Sequence, residues 1–217
     1  MPKEKQEEKV SIFQISWKPQ GIAIVSSAFG WMLDALDLVV TLTVLSDVAS
    51  LFFVHLTGIA LITSIATAFI IAFYARPIGS LIFGHYADKL GRKTLLLITV
   101  SGYGTFTILL GLIPTVTQIG VAALALLYVL RFIQGIFVGG EYAAGYPLVM
   151  EHLKPYQRGF WSGVLQGSYG YGYAMAAGLT AAMLTAFPGQ SFYVWGWRLT
   201  FIIAGLIPLV VFLPVRL

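Results

Sequence analysis

Four side chains in otherwise apolar stretches can carry chemistry. Asp34 and Asp37 sit near the middle of AFGWMLDALDLVVTLTVL, residues 28–45. Arg131 opens the apolar run RFIQGIFVGGEYAAG, and Gln134 follows it by about one helical turn. An ionised group at the centre of a bilayer costs roughly 2.5–3.5 kcal/mol on insertion scales, so each of these charges needs compensation. Three residues apart on a helix, the aspartates lie within about 60° of each other on one face. They are candidates for taking up and releasing protons, with Asp37 slightly favoured. Arg131 is the counter-charge for either acid, or the receptor for an anionic ligand once an acid is protonated. A purely structural bridge would use the same residues, and Gln134 would equally serve as an amide bonding between helices.

Composition says what must position them. Hydrophobic residues make up 58% of the 217-residue chain and charged residues 10%, and mean hydropathy is +0.85. Soluble domains carry about 25% charged residues, so an integral membrane protein is expected. Six apolar stretches, at 21–46, 57–83, 94–113, 118–148, 160–186 and 198–215, are long enough to cross about 30 Å of hydrocarbon as helices. They are too continuous for barrel strands. The fold expected is an all-α membrane protein of six transmembrane helices in a 3+3 inverted repeat. Residues 1–20 form a polar tail before a single membrane domain over 21–217. The tail lacks the short apolar run and cleavage site of a signal peptide.

Lysine and arginine set the expected orientation. Lys3, Lys5, Lys9 and Lys18 lie in the tail, Lys89, Arg92 and Lys93 after the second stretch, Lys154 and Arg158 after the fourth, and Arg216 beyond the sixth. The opposite connections, 47–56, 113–117 and 187–197, have none, and only Arg198 adjoins them. The positive-inside rule then places both termini and both basic loops in the cytoplasm of a multi-pass plasma-membrane (cell inner membrane) protein. The net charge of +4 therefore reads as topology and not as a nucleic-acid surface. There is no cysteine, and His55, His85 and His152 have no metal-ligand spacing, so no metal site and no cofactor is expected. No phosphate loop or nucleophile arrangement is present, and the chain is not expected to be an enzyme.

The most specific motif is GHYADKLGRK, residues 84–93. Gly84 allows close helix approach, Gly91 a tight turn, and Asp88 a pairing with Arg92 or a helix end. With RPIGSLIFGHYADKLGRK (76–93), RFIQGIFVGGEYAAGYPLVMEHLKPYQRG (131–159), LQGSYGYGYAMAA, WGWRLTFIIAGLIP and the LDALD segment, this resembles the major facilitator superfamily. Within it the likeness is to metabolite and carboxylate proton symporters of the sialate–lactate type, over about residues 25–217. Members of that family have twelve spans, so the chain looks like the N-terminal six-span half, a fragment or truncated frame that needs a second half or another copy. The resemblance implies secondary transport by alternating access, with Asp34 and Asp37 as proton-coupling residues and Arg131 and Gln134 as the substrate or ion-pair site. It also implies a cytoplasmic gate of Gly84, Asp88, Gly91, Arg92, Arg76, Glu141, Glu151 and Arg158, in which Glu141 pairs with Arg76 or with the motif. Protons and a small organic anion are the expected ligands, within a lipid bilayer. A sugar or neutral-metabolite porter and a non-transporting half that binds a partner remain as alternatives. Gly163, Gly167, Gly170, Gly172 and Gly178 give the fifth span a small-residue face suited to the second half. Trp195 and Trp197 are expected in an interfacial belt.

Overall fold

In hydrocarbon no water is available to the backbone, so a spanning chain must close its amide hydrogen bonds internally. The computed structural model describes residues 15–54 and 56–212, and does so with helices. The tail through Gln14, His55 and residues 213–217, Arg216 among them, lie outside the described residues, as does the side chain of Asp88. Among the described residues the main helices are six: α1 Ile22–Asp47, α2 Gly58–Leu90, α3 Arg92–Gly111, α4 Ala122–His152, α5 Pro155–Ala186 and α6 Trp197–Ile207. Wider π-type turns, Phe192–Gly196 and Pro208–Phe212, extend α6 at both ends.

Five of these segments are long and apolar enough to cross a membrane, and α5 is not among them. At 32 residues α5 has ample length, but glycine, serine and tyrosine dilute its hydropathy. The helix is thus polar where the others are oily.

The helices pair as α1 with α5, α2 with α4, and α3 with both α4 and α6. A two-fold that exchanges α1 with α4, α2 with α5 and α3 with α6 maps the first pair onto the second and the α3–α6 pair onto itself. This is the 3+3 inverted repeat. Because lipid is as apolar as leucine, such pairs rely on close packing of small residues. A Cβ on Gly135 would lie 2.9 Å from Ala72 Cα, and one on Gly139 2.7 Å from the Arg76 carbonyl carbon. Those two glycines let the backbones of α2 and α4 touch, and Ser80 Oγ donates to the Gly139 carbonyl at 2.7 Å.

The largest apolar cluster fills one end of the bundle, with Val44, Phe52, Leu110, Trp197 and Phe201 at its centre. Trp197 is therefore no belt residue. It is 1% exposed, packs edge-on against Phe52, and donates Nε1–H to the Tyr193 carbonyl. Only Trp195 of that pair is exposed. At the other end the GHYADKLGRK segment is not a loop. Residues 84–90 continue α2, and the chain turns at Gly91, whose φ of +85° favours glycine.

Candidate functional site

The aspartates of α1 serve two different networks. Three residues separate them by about 4.5 Å along the axis and 60° around it, enough to send each carboxylate to a different neighbour.

Asp37 points between α3 and α4. Its Oδ2 accepts from Arg131 Nη1 at 3.3 Å. Its Oδ1 accepts from Gln134 Nε2 at 2.8 Å and from Thr107 Oγ1 at 3.1 Å. Arg131 Nη1 also donates to Thr41 Oγ1 at 3.0 Å and Gln134 Oε1 at 2.5 Å, and Gln134 Nε2 donates to Thr107. Asp37, Thr41, Thr107, Arg131 and Gln134 are all buried, Arg131 at 3% exposure. The expected Arg131–Gln134–aspartate cluster is thus present, with Asp37 as the partner, and it ties α1, α3 and α4 together.

Asp34 points between α2 and α5. Its Oδ1 accepts from Arg76 Nη2 at 2.9 Å, and its Oδ2 from Arg76 Nη1 at 3.1 Å, a two-pronged pair. Tyr142 of α4 and Tyr169 of α5 also donate to Oδ2, the former at 2.8 Å. The two hydroxyls meet each other. Trp31 packs on Tyr142 and Tyr169 with centroids 4.7 and 5.4 Å apart, and the Arg76 guanidinium lies 4.4 Å from the Phe73 ring centroid. The Arg76 side chain is 16% exposed.

This corrects the placing of Arg76 with the turn-side charges. Fifteen residues before Gly91, it lies about 22 Å along α2 from that turn, and its ion pair is with Asp34 and not Glu141. Glu141 is buried on α4, next to Tyr142. At the turn itself, Arg92 Nη2 meets Glu151 Oε1 at 2.6 Å, with Glu151 55% exposed. Arg92 Nη1 reaches the Ala143 carbonyl at 3.5 Å, and Gly84 faces Ala143. Arg158 Nε donates to the Leu153 carbonyl at 3.2 Å. Arg92, Glu151, Gly84 and Gly91 thus join α2, α3 and α4 at one end. Arg158 caps the α4–α5 connection beside them.

Three contributors were not singled out from sequence as members of these networks: Thr41, Thr107 and Tyr142. Thr41 had a signal, one turn beyond Asp37 on the same face. Tyr142 had none, because a tyrosine in a span serves cavity, lipid boundary and packing alike. On α5, a Cβ added at Gly163, Gly167, Gly170 or Gly178 would meet nothing within 4 Å among the described residues, whereas one at Gly172 would lie 2.6 Å from the Ala35 Cβ of α1.

Comparison with known proteins fits this architecture. Residues 19–217 match the model of the Major Facilitator Superfamily. The chain is 39% identical to the shikimate transporter of Escherichia coli K12 over 132 residues, 61% of this chain and 30% of that protein. It is 36% identical to the inner membrane metabolite transport protein YhjE of the same organism over 151 residues, 70% of this chain and 34% of that one. The E. coli K12 proline/betaine transporter shares 35% over 147 residues, 68% and 29% of the two chains. The chain thus spans about a third of the length of these relatives. In structure it superposes on the E. coli xylose transporter XylE, solved in an inward-open conformation, with a TM-score of 0.71 at 17% identity, over 89% of this chain and 46% of that one. These relatives are transporters and not enzymes. Six helices in inverted repeat, ion pairs inside the bundle and a family match over nearly the whole chain lead to one statement: the chain belongs to the Major Facilitator Superfamily.

Proposed function

We propose that the chain is one half of a secondary transporter that couples proton entry to uptake of a small organic anion by alternating access. The observation that carries the reading is the pair of carboxylate–guanidinium contacts, Asp34–Arg76 and Asp37–Arg131, inside membrane-spanning helices. Breaking a buried pair by removing one partner costs about 3–5 kcal/mol. Membrane-embedded ion pairs of this kind commonly mark substrate paths and proton relays. One of the two aspartates of α1, Asp34 or Asp37, is the proton acceptor in this account. The guanidinium of one pair receives the anion, and Gln134 keeps the inner pair in register. The relatives' names support a carboxylate as the cargo, since shikimate, proline and betaine all bear one.

The end with Gly84, Asp88, Gly91, Arg92, Glu151 and Arg158 is the cytoplasmic gate, as the distribution of lysine and arginine suggests. The second half, from further sequence or another copy, covers the α5 face where four glycines stand open. A neutral-substrate porter would use the same aromatic and hydroxyl groups around Trp31.

The test is uptake into reconstituted vesicles, alkaline inside, of labelled shikimate, lactate, betaine and xylose, with light scattering to give the oligomeric state. Gradient-driven uptake of an acid, abolished by a protonophore, is expected. Uptake of xylose alone, or uptake indifferent to the gradient, would overturn the proposal.

A further inference from the structure

The two ion pairs do not offer a ligand the same access. Arg131 is enclosed by Asp37, Thr41 and Gln134. The cavity beside it is apolar, lined by Leu45, Val48, Phe52, Leu110 and Trp197 among others, with room for about one water. An organic molecule does not fit there. The Arg76 side chain keeps 16% exposure, and Phe73 next to it is 41% exposed. Its Nε is buried and meets no acceptor among the described residues.

We infer that Arg76 is the substrate's carboxylate receptor, and that Asp34 fills this receptor whenever the substrate does not. This rests on the anion-symport reading above and assigns its substrate site. Asp34 already shows what the receptor holds. Four donors converge on one planar carboxylate: Arg76 Nη1 and Nη2 and the hydroxyls of Tyr142 and Tyr169. Any carboxylate taking that place finds the same fork and the same hydroxyls, and the rings of Trp31, packed on Tyr142, and of Phe73, beside the guanidinium, offer contacts for an apolar body.

Charge arithmetic supplies the coupling. Arg76 with ionised Asp34 sums to zero. Arg76, protonated Asp34 and a substrate carboxylate also sum to zero. A proton alone leaves +1, and an anion alone leaves −1, each costly inside the membrane. The proton binds a carboxylate oxygen of Asp34 from one side and leaves it to water on the other, and no covalent bond of the substrate changes. The groups facing Asp34 are Arg76 from α2, Tyr142 from α4 and Tyr169 from α5, with Asp37 and Arg131 one turn further along. The inner pair stays closed throughout and positions α1.

The experiment is calorimetric titration of the purified protein with cyclohexanecarboxylate and its neutral carboxamide. The wild type should prefer the acid by roughly 10–100-fold, the worth of a charge-assisted pair. Acid affinity should rise by up to about tenfold per unit fall in pH while Asp34 is ionised. Asp34→Asn should keep the acid preference and lose its pH dependence. The charge-neutral double variant Asp34→Asn/Arg76→Gln, which leaves no lone buried charge, should bring the acid-to-amide ratio near one, with Arg76→Lys intermediate. Asp37→Asn/Arg131→Gln should change both affinities together and keep the ratio. An acid preference that survives Asp34→Asn/Arg76→Gln, or collapses only in Asp37→Asn/Arg131→Gln, overturns the assignment of Arg76 and leaves anion symport standing. A wild type that binds acid and amide alike overturns the anion reading itself.

Discussion

The inner pair should behave as a closed electrostatic unit, and a double-mutant cycle measures it. Asp37 and Arg131 meet at 3.3 Å. At an effective dielectric constant of about 20, that distance corresponds to roughly 5 kcal/mol of attraction. Asp37→Asn keeps the shape and the contacts with Gln134 and Thr107, but it leaves Arg131, 3% exposed, without a counter-charge. Removing one member of a buried pair costs about 3–5 kcal/mol. At about 2–4 °C per kcal/mol for a chain of this size, the unfolding midpoint should fall by roughly 6–20 °C. Arg131→Gln should cost less, because Thr107 and Gln134 still donate to Asp37. The double variant Asp37→Asn/Arg131→Gln leaves no charge behind and should recover most of the loss. Thermal unfolding in detergent, followed by circular dichroism, gives all four corners of the cycle. If the double variant loses the sum of the single losses, the residues are not coupled and the network has been misread.

Other positions give distinct signatures. Gly139→Val would push a side chain into the Arg76 carbonyl; overpacking of this kind costs about 1–3 kcal/mol and should lower both the unfolding midpoint and carboxylate affinity, since it displaces the helix carrying Arg76. Gly91→Ala places a Cβ at φ +85°, a strain of about 1–3 kcal/mol, visible as a lower midpoint even though nothing lies within 4 Å of the added atom. Glu151→Gln breaks a pair whose acid is 55% exposed; the cost should stay within about 1 kcal/mol, so a changed uptake rate at an unchanged midpoint would identify the contact with Arg92 as part of the gate.

The spans were legible because a run of about 20 apolar residues in water-free surroundings has little choice but helix. Helix ends were less so. GHYADKLGRK looks like a loop from its charges, yet α2 keeps its hydrogen bonds to Leu90 and leaves only Gly91 to turn. That Arg131 should meet an aspartate of α1 followed from the cost of leaving either charge alone, but which of the two it meets did not. That Asp34 should choose Arg76 did not, because a rotation of α1 by about 60° decides it and packing sets that rotation. Arg76 was grouped with the motif beside it in sequence, while its depth along α2 places it elsewhere. Trp197 read as a boundary residue for the same reason: its type fits both a membrane interface and a core, and only the position of Phe52 separates them.

Whether proton binding at the Asp34–Arg76 pair drives anion uptake is tested most directly in vesicles. Wild type and Asp34→Asn should be compared for uphill uptake of labelled shikimate under a pH gradient and for exchange of shikimate at equal pH. Accumulation by the wild type only and exchange by both are expected, because the asparagine of the variant can no longer carry the proton while Arg76 still holds the anion. Accumulation by Asp34→Asn at the wild-type level would contradict proton coupling at this pair.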